Sequence, residues 1–252
     1  QQLKNSILQL AIQGKLVPQI ESEGTAEDLL KEIRAEKEKL VKEGKLKKKD
    51  LEVKPIEEDE IPFEIPSGWR WCRMNDLAEY KKGPFGSSLT KSMFVQKSSS
   101  SIKVYEQKNA IKKDFQLGDY YISKEKFTSM ESFTVYPLDI IVSCAGTIGE
   151  TYQLPEEAPL GIINQALMRV RLFQLELSDY WMLYFKDMLN HNTEMKGAGS
   201  AIKNIPPFEI FKNIPVPLPP LSEQKRIVAK IEELMPLVEE YGKAQERLET
   251  LN

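Results

Sequence analysis

At 252 residues with a net charge of −3, 41% hydrophobic residues and 9% aromatics, the chain has enough apolar material for a real core. Its balance argues against a non-specific polyanion binder, and no apolar run approaches membrane-spanning length or forms a signal peptide. Two cysteines, Cys72 and Cys144, are too few for a disulfide framework or a cysteine zinc site, so the expected compartment is the reducing cytoplasm.

The chain opens on Gln1 rather than Met, as an excised piece of a longer protein would. Leu3, Ile7, Leu10 and Ala11 fall on one face of a short helix that Gly14 can close. Thr25 and Asp28 form a capping box for a second helix, with Leu29, Leu30, Ile33, Leu40 and Val41 as its apolar positions and Gly44 as its end. Residues 45–66 run from lysines into Glu57-Glu58-Asp59-Glu60 between Pro55, Pro62 and Pro66, and read as a linker. From Trp69 to about Leu172 the pattern changes to short strands: 69–73, 102–104, 133–136, 139–144, 150–154 and 161–172. Ser123 caps a short helix, and Ser178 opens another that carries Trp181, Met182, Phe185, Met188 and Leu189 toward a core.

Residues 214–218 then lead into a hard boundary. Pro217, Pro219 and Pro220 hold the backbone extended, Ser222 caps a long C-terminal helix, and Glu223 places a negative charge at its N-terminus. Ile227, Ile231, Leu234, Val238, Tyr241 and Leu248 recur at coiled-coil spacing, a narrow stripe that fits another helix. The helix would span roughly 45 Å if it ran to Leu251, and Pro236 is expected to bend it. Such a rod is a spacer or docking arm.

Charge is unevenly placed. From Arg70 to Glu131 there are twelve Lys or Arg against seven Asp or Glu, whereas Pro55–Trp69 holds five acids and no base. A locally basic segment suits focused phosphate contact, and equally a solvated mixed surface. The chemical motifs fall short. Ile205-Pro206-Pro207-Phe208 imitates the adenine-methyltransferase loop but lacks the side-chain carbonyl its first position needs. Asp187, Glu194 and Lys196 match nuclease spacing, yet Asp187 falls on a helix instead of a strand end. His191 is the only histidine, with no nucleophile elbow to serve, and Gly197-Ala198-Gly199 lacks the third glycine of a dinucleotide turn. The chain reads as non-catalytic.

Several segments, in order, resemble one family. "PPLSEQKRIVAKIEEL" resembles the start of the conserved helical spacer in DNA-specificity subunits of type I restriction–modification enzymes. "LKNSILQLAIQGKLVPQ" and "IPSGWRWCRMNDL" resemble the segments leading into a target recognition domain of that family, and "GTIG" (146–149), "NQAL" (164–167) and the glycine-rich stretch before Ile205 resemble segments within it. The resemblance spans most of the chain outside residues 85–135.

The resemblance implies an α+β fold: a mixed-sheet target recognition domain at 67–218, an N-terminal helical segment and charged linker at 1–66, and a coiled-coil-type spacer helix at 219–252. It implies a non-catalytic reader of one half of a bipartite site on double-stranded DNA. Its helices would dock methyltransferase subunits, which bring S-adenosylmethionine, alongside a restriction/translocase subunit that uses ATP and Mg; this chain would carry no cofactor. One recognition domain is half the usual architecture, so the chain is either a fragment or a half-length subunit that forms a homodimer through the long helix.

Phosphate anchors are then expected from Lys81, Lys82, Gly83, Phe85, Gly86, Ser87, Ser88 and Lys91, where glycines permit close approach, lysines neutralise and serines donate. Base contacts are expected from Gln96, Lys97, Gln107, Lys108 and Asn109. Asn164 and Gln165 could read adenine, but their place in an apolar strand favours structural hydrogen bonds. The alternative function is a helical adapter that binds protein and no DNA.

Overall fold

The computed structural model describes residues 2–191 and 205–250, with the side chains at 190, 191 and 248–250 left out. Glu194, Lys196 and Gly197-Ala198-Gly199 therefore lie outside the described residues.

In chain order, helices α1 (Gln2–Ile12) and α2 (Ala26–Lys42) precede strand β1 (Arg70–Arg73), the one-turn α3 (Met74–Leu77) and β2 (Ala78–Lys82). Next come β3 (Ile102–Tyr105), α4 (Gln107–Lys112), β4 (Tyr121–Ile122), α5 (Lys124–Thr128) and β5 (Thr134–Val135). Four strands come after these: β6 (Ile140–Ser143), β7 (Thr151–Gln153), β8 (Gly161–Ile163) and β9 (Leu167–Leu172). The chain ends with α6 (Ser178–His191), the one-turn α7 (Phe208–Phe211), β10 (Pro215–Leu218) and α8 (Leu221–Thr250). The fold is α+β, with a long C-terminal helix.

Contacts divide the chain into two compact units: residues 2–76, 179–191 and 212–250 in one, 77–178 and 205–211 in the other. In the first, β1 pairs antiparallel with β10. Pro215 and Pro217 have no N–H to give, which a two-stranded ribbon tolerates. Their carbonyls accept from the hydroxyls of Tyr184 and Tyr180 on α6. The indole of Trp69 is 1% exposed, sits edge-on to Tyr180 at 6.5 Å, and donates from Nε1 to Glu223 Oε2 at 2.9 Å. The other Glu223 oxygen accepts from Gln19 Nε2 at 2.6 Å. Burial pushes the Glu223 carboxyl above its ordinary value, opposed by these donors.

Lys4 near the start of α1 pairs with Glu239 midway along α8, while Glu23, beyond the end of α1, pairs with Arg226 in the first turns of α8. The two helices thus run antiparallel. This corrects the interface expected of the apolar stripe. Ile227 and Ile231 are 0% and 8% exposed, buried within their own chain, because α8 serves its own core first. Farther on, Leu234 and Val238 are half-buried, Tyr241 is 64% exposed, and the side chain of Leu248 lies outside those described. The helix continues through Pro236 without a break.

Two other local expectations change. Thr25 stands at the N-cap of α2, but its hydroxyl donates to the Asp28 carboxylate (2.9 Å) instead of accepting from the backbone. The 45–66 linker is fastened: Arg73 donates to the carbonyls of Lys54 and Pro55 and grips both Glu60 oxygens at 2.8 Å. That fork holds the Glu60 carboxyl well below its ordinary 4.5, at about 2. A depressed folded value means the pair's stabilisation is complete above about pH 4.5 and lost as pH falls toward 2. The urea midpoint of the wild type is expected to exceed that of Glu60→Gln above this window, with the gap closing through it. A gap independent of pH would show that ionisation of Glu60 is not its source.

The second unit holds two four-stranded sheets. One is antiparallel, in the order β2-β9-β6-β7; the other, β4-β3-β8-β5, is mixed, with β3 and β8 parallel. The continuous strand expected over 161–172 is two strands in different sheets, joined by a tight turn at Asn164–Ala166. The cores are Tyr105, Ile141, Ile163 and Leu167 with their neighbours, and Leu89, Val104, Ile122 and Ile162 with theirs. A charged lattice ties the sheets together. Buried Arg169 donates to Glu79 (2.7 Å) and to the Thr134 carbonyl (2.8 Å), and Arg171 grips Asp139 with two bonds (2.8 and 2.6 Å).

Candidate nucleic-acid interface

Strand register brings four loops to one end of the second unit. Lys82, the last residue of β2, pairs with Met168 at the start of β9, and Ser143, the last of β6, pairs with Leu167. Tyr105 and Ile163 end β3 and β8 side by side. The segments that leave these ends therefore meet: 83–91, 106–109, 144–150 and 164–166. Backbone bonds join them, from Gly83 N–H to Leu167 O (2.9 Å), Cys144 N–H to Ala166 O (2.7 Å) and Asn164 N–H to Tyr105 O (3.0 Å).

Gly83 is there because nothing larger fits. A Cβ on it would lie 1.9 Å from the Asn164 carbonyl oxygen and 3.0 Å from the Gln165 Cα. Gly146 has a left-handed φ of 62° and faces the Gln107 amide, 3.5 Å from where its Cβ would sit. The Ser143 hydroxyl closes that turn, donating to Thr147 O and accepting from Glu150 N–H. Cys144 is half-buried beneath it, its thiol pushed up to about 12 by burial.

The expected anchors separate by environment. Lys82, Phe85 (87% exposed), Gly86, Ser87 and Lys91 are exposed, and Ser88 is half-buried. Buried Leu89 pins this loop to the core. Lys81 lies on the neighbouring strand position, half-buried, with its ammonium over the Phe133 ring at 4.7 Å.

The expected base readers separate too. Asn109 is 0% exposed: its Oδ1 accepts from Glu106 N–H, and its Nδ2 donates to the carbonyls of Asp114 and Leu117. It is a structural residue and leaves the set. Gln107 is half-buried against the Gly146 turn. Lys108 is exposed, ion-paired to Glu106 at 2.9 Å, and 5.9 Å from the Tyr120 ring. Lys97 lies 5.9 Å from the Tyr121 ring, outside the loop cluster and on the flank of the edge strand β4. Gln96 is exposed beside it.

Sequence reading passed over one feature. Tyr120 and Tyr121 gather Lys108, Lys97 and the buried Lys103, with Phe94 stacked on Tyr120 at 4.2 Å. The signal was a tyrosine pair amid lysines. Gln165, expected in an apolar strand making structural hydrogen bonds, is instead exposed at the apex of the turn.

The decoys fall away structurally. Asp187 is buried within α6, His191 is that helix's last residue, and the carbonyl of Pro207 accepts from Ile210 and Phe211 N–H, so 205–208 opens a helical turn. Among the described residues, no cluster of His, Cys, Asp and Glu is of metal-holding size, and no described helix is long and apolar enough to cross a membrane.

Residues 66–249 match the model of the type I restriction modification DNA specificity domain. The chain belongs to that family. It is 30% identical over 243 residues to the type I restriction enzyme EcoAI specificity subunit of Escherichia coli, covering 94% of this chain and 40% of the relative. With the EcoEI specificity subunit of the same organism it shares 31% over 247 residues, covering 92% and 39%. The chain thus spans about two fifths of the length of these curated relatives. Among solved structures it resembles the HsdS subunit from Thermoanaerobacter tengcongensis, with a TM-score of 0.48, 20% identity, and coverage of 87% of this chain and 48% of that one.

Proposed function

We propose that this specificity-domain chain reads one half of a bipartite site on double-stranded DNA and performs no chemistry itself. The observation that carries the reading is the meeting of four loops at one end of two sheets, with Lys82 and Lys91 free to neutralise phosphate and glycines that allow close approach. Side chains held by such a rigid base can address base edges, while charge on the loop supplies affinity.

The helices then present this reader to partners. Beyond the buried Ile231, α8 leaves Leu237 and Tyr241 exposed, and α1 leaves Leu3 and Leu10 exposed. That surface suits a second helical pair, either from another copy of the chain or from the second half of a longer one. Methyltransferase subunits with S-adenosylmethionine, and a translocase subunit with ATP and Mg, would supply the chemistry around it in the cytoplasm.

The test is fluorescence anisotropy of the wild-type chain with labelled duplex DNA as salt is raised. Log affinity is expected to fall linearly with log salt, with a slope of about −0.9 per phosphate neutralised. Absence of any salt-dependent binding would favour the protein adapter and overturn the proposal.

A further inference from the structure

We infer that Gln165 determines sequence specificity by reading an adenine in the major groove, an inference that rests on the chain being a DNA-sequence reader. The turn that carries it is locked from several directions. Asn164 N–H donates to Tyr105 O (3.0 Å), Leu167 N–H to Asn164 O (3.2 Å) and Cys144 N–H to Ala166 O (2.7 Å). The Asn164 side-chain oxygen accepts from Ala166 N–H (3.0 Å). Gly83 closes the remaining side, so near that any side chain there would strike the Asn164 carbonyl. Three residues joining two different sheets thus have almost no backbone freedom.

On that pedestal the two amides diverge. Asn164 is used internally, whereas Gln165 is exposed and makes no hydrogen bond to any other described residue. Of the other amides in the cluster, Asn109 is buried and bound to Asp114 and Leu117, and Gln107 is half-buried against the Gly146 turn. Gln165 is therefore the exposed amide at the meeting point of the loops. A carboxamide offers a donor and an acceptor side by side, the complement of adenine N7 and N6 in the major groove. The fixed backbone beneath it reduces the entropy lost on contact.

The test selects binders from a pool of random-sequence duplexes, using the wild-type chain, Gln165→Ala and Gln165→Glu. The wild type is expected to enrich one short motif. Gln165→Ala should keep its affinity for unrelated DNA and its melting temperature, and lose about ten- to a hundredfold discrimination at one adenine position only. Gln165→Glu should turn against that adenine. If Gln165→Ala enriches the same motif with the same weights, or loses preference at a base other than adenine, the inference is overturned. A wild-type pool with no enriched motif would overturn the reading of the chain as a sequence reader, and the inference with it.

Discussion

Trp69→Ala is expected to destabilise the helical unit by about 3–5 kcal/mol, the cost of emptying a site filled by a large buried aromatic. Two losses add. The indole leaves a void beside Tyr180, and the Glu223 carboxylate, already raised by burial, loses a donor. Trp69→Phe separates these, because it keeps most of the ring and removes only the N–H; about 1–3 kcal/mol is expected. Glu223→Ala should cost a similar amount, leaving both the indole N–H and the Gln19 amide without their acceptor. The double variant should lose less than the sum, since both singles break one bond. Urea unfolding followed by circular dichroism measures all four. A Trp69→Ala loss below about 1 kcal/mol would show that the joint between these distant segments does not hold the unit.

Reversing Lys82 and Lys91 together, each to Glu, is expected to weaken duplex DNA binding on the order of a hundredfold at low salt and to flatten the salt slope by about two. Both side chains are exposed, Lys82 at the end of β2 and Lys91 just beyond the loop that Gly83 and Leu89 fasten, so folding should be unaffected. Lys81→Glu makes the contrast. That ammonium lies over Phe133, so its loss is expected in thermal stability more than in the salt slope. Anisotropy with one labelled duplex, alongside melting curves, distinguishes the two. An equal drop in slope for Lys81 would place it on phosphate after all.

The sequence made some of this visible for clear physical reasons. Prolines at 217, 219 and 220 mark the start of α8 because together they hold the incoming backbone extended, and Ser123 marks α5 by capping it at Lys126 N–H. The motif segments around Trp69 and Glu223 stand out singly, but nothing along the chain says that one donates to the other across 154 positions. The stripe from Ile227 showed that α8 needs a helix. It could not show that this helix is α1 of the same chain, because periodicity names a face and no partner.

The candidate site was legible in part. Lys82, Gly83 and Lys91 announce a basic, tightly turning loop, while burial of Asn109 and the ring contact of Lys81 depend on packing that composition does not encode. Strand β2 was missed because Ala78-Glu79-Tyr80-Lys81-Lys82 carries only two apolar residues, both buried. The turn at Asn164-Gln165 hid inside an apolar run read as one strand; two adjacent amides were its only mark.

The central claim, that this chain chooses where a DNA-modifying complex acts, is tested most directly by sequencing genome-wide adenine methylation in cells with and without its gene. The account predicts that methylation disappears at every copy of one bipartite motif and persists elsewhere. Methylation that is unchanged at every motif would contradict it.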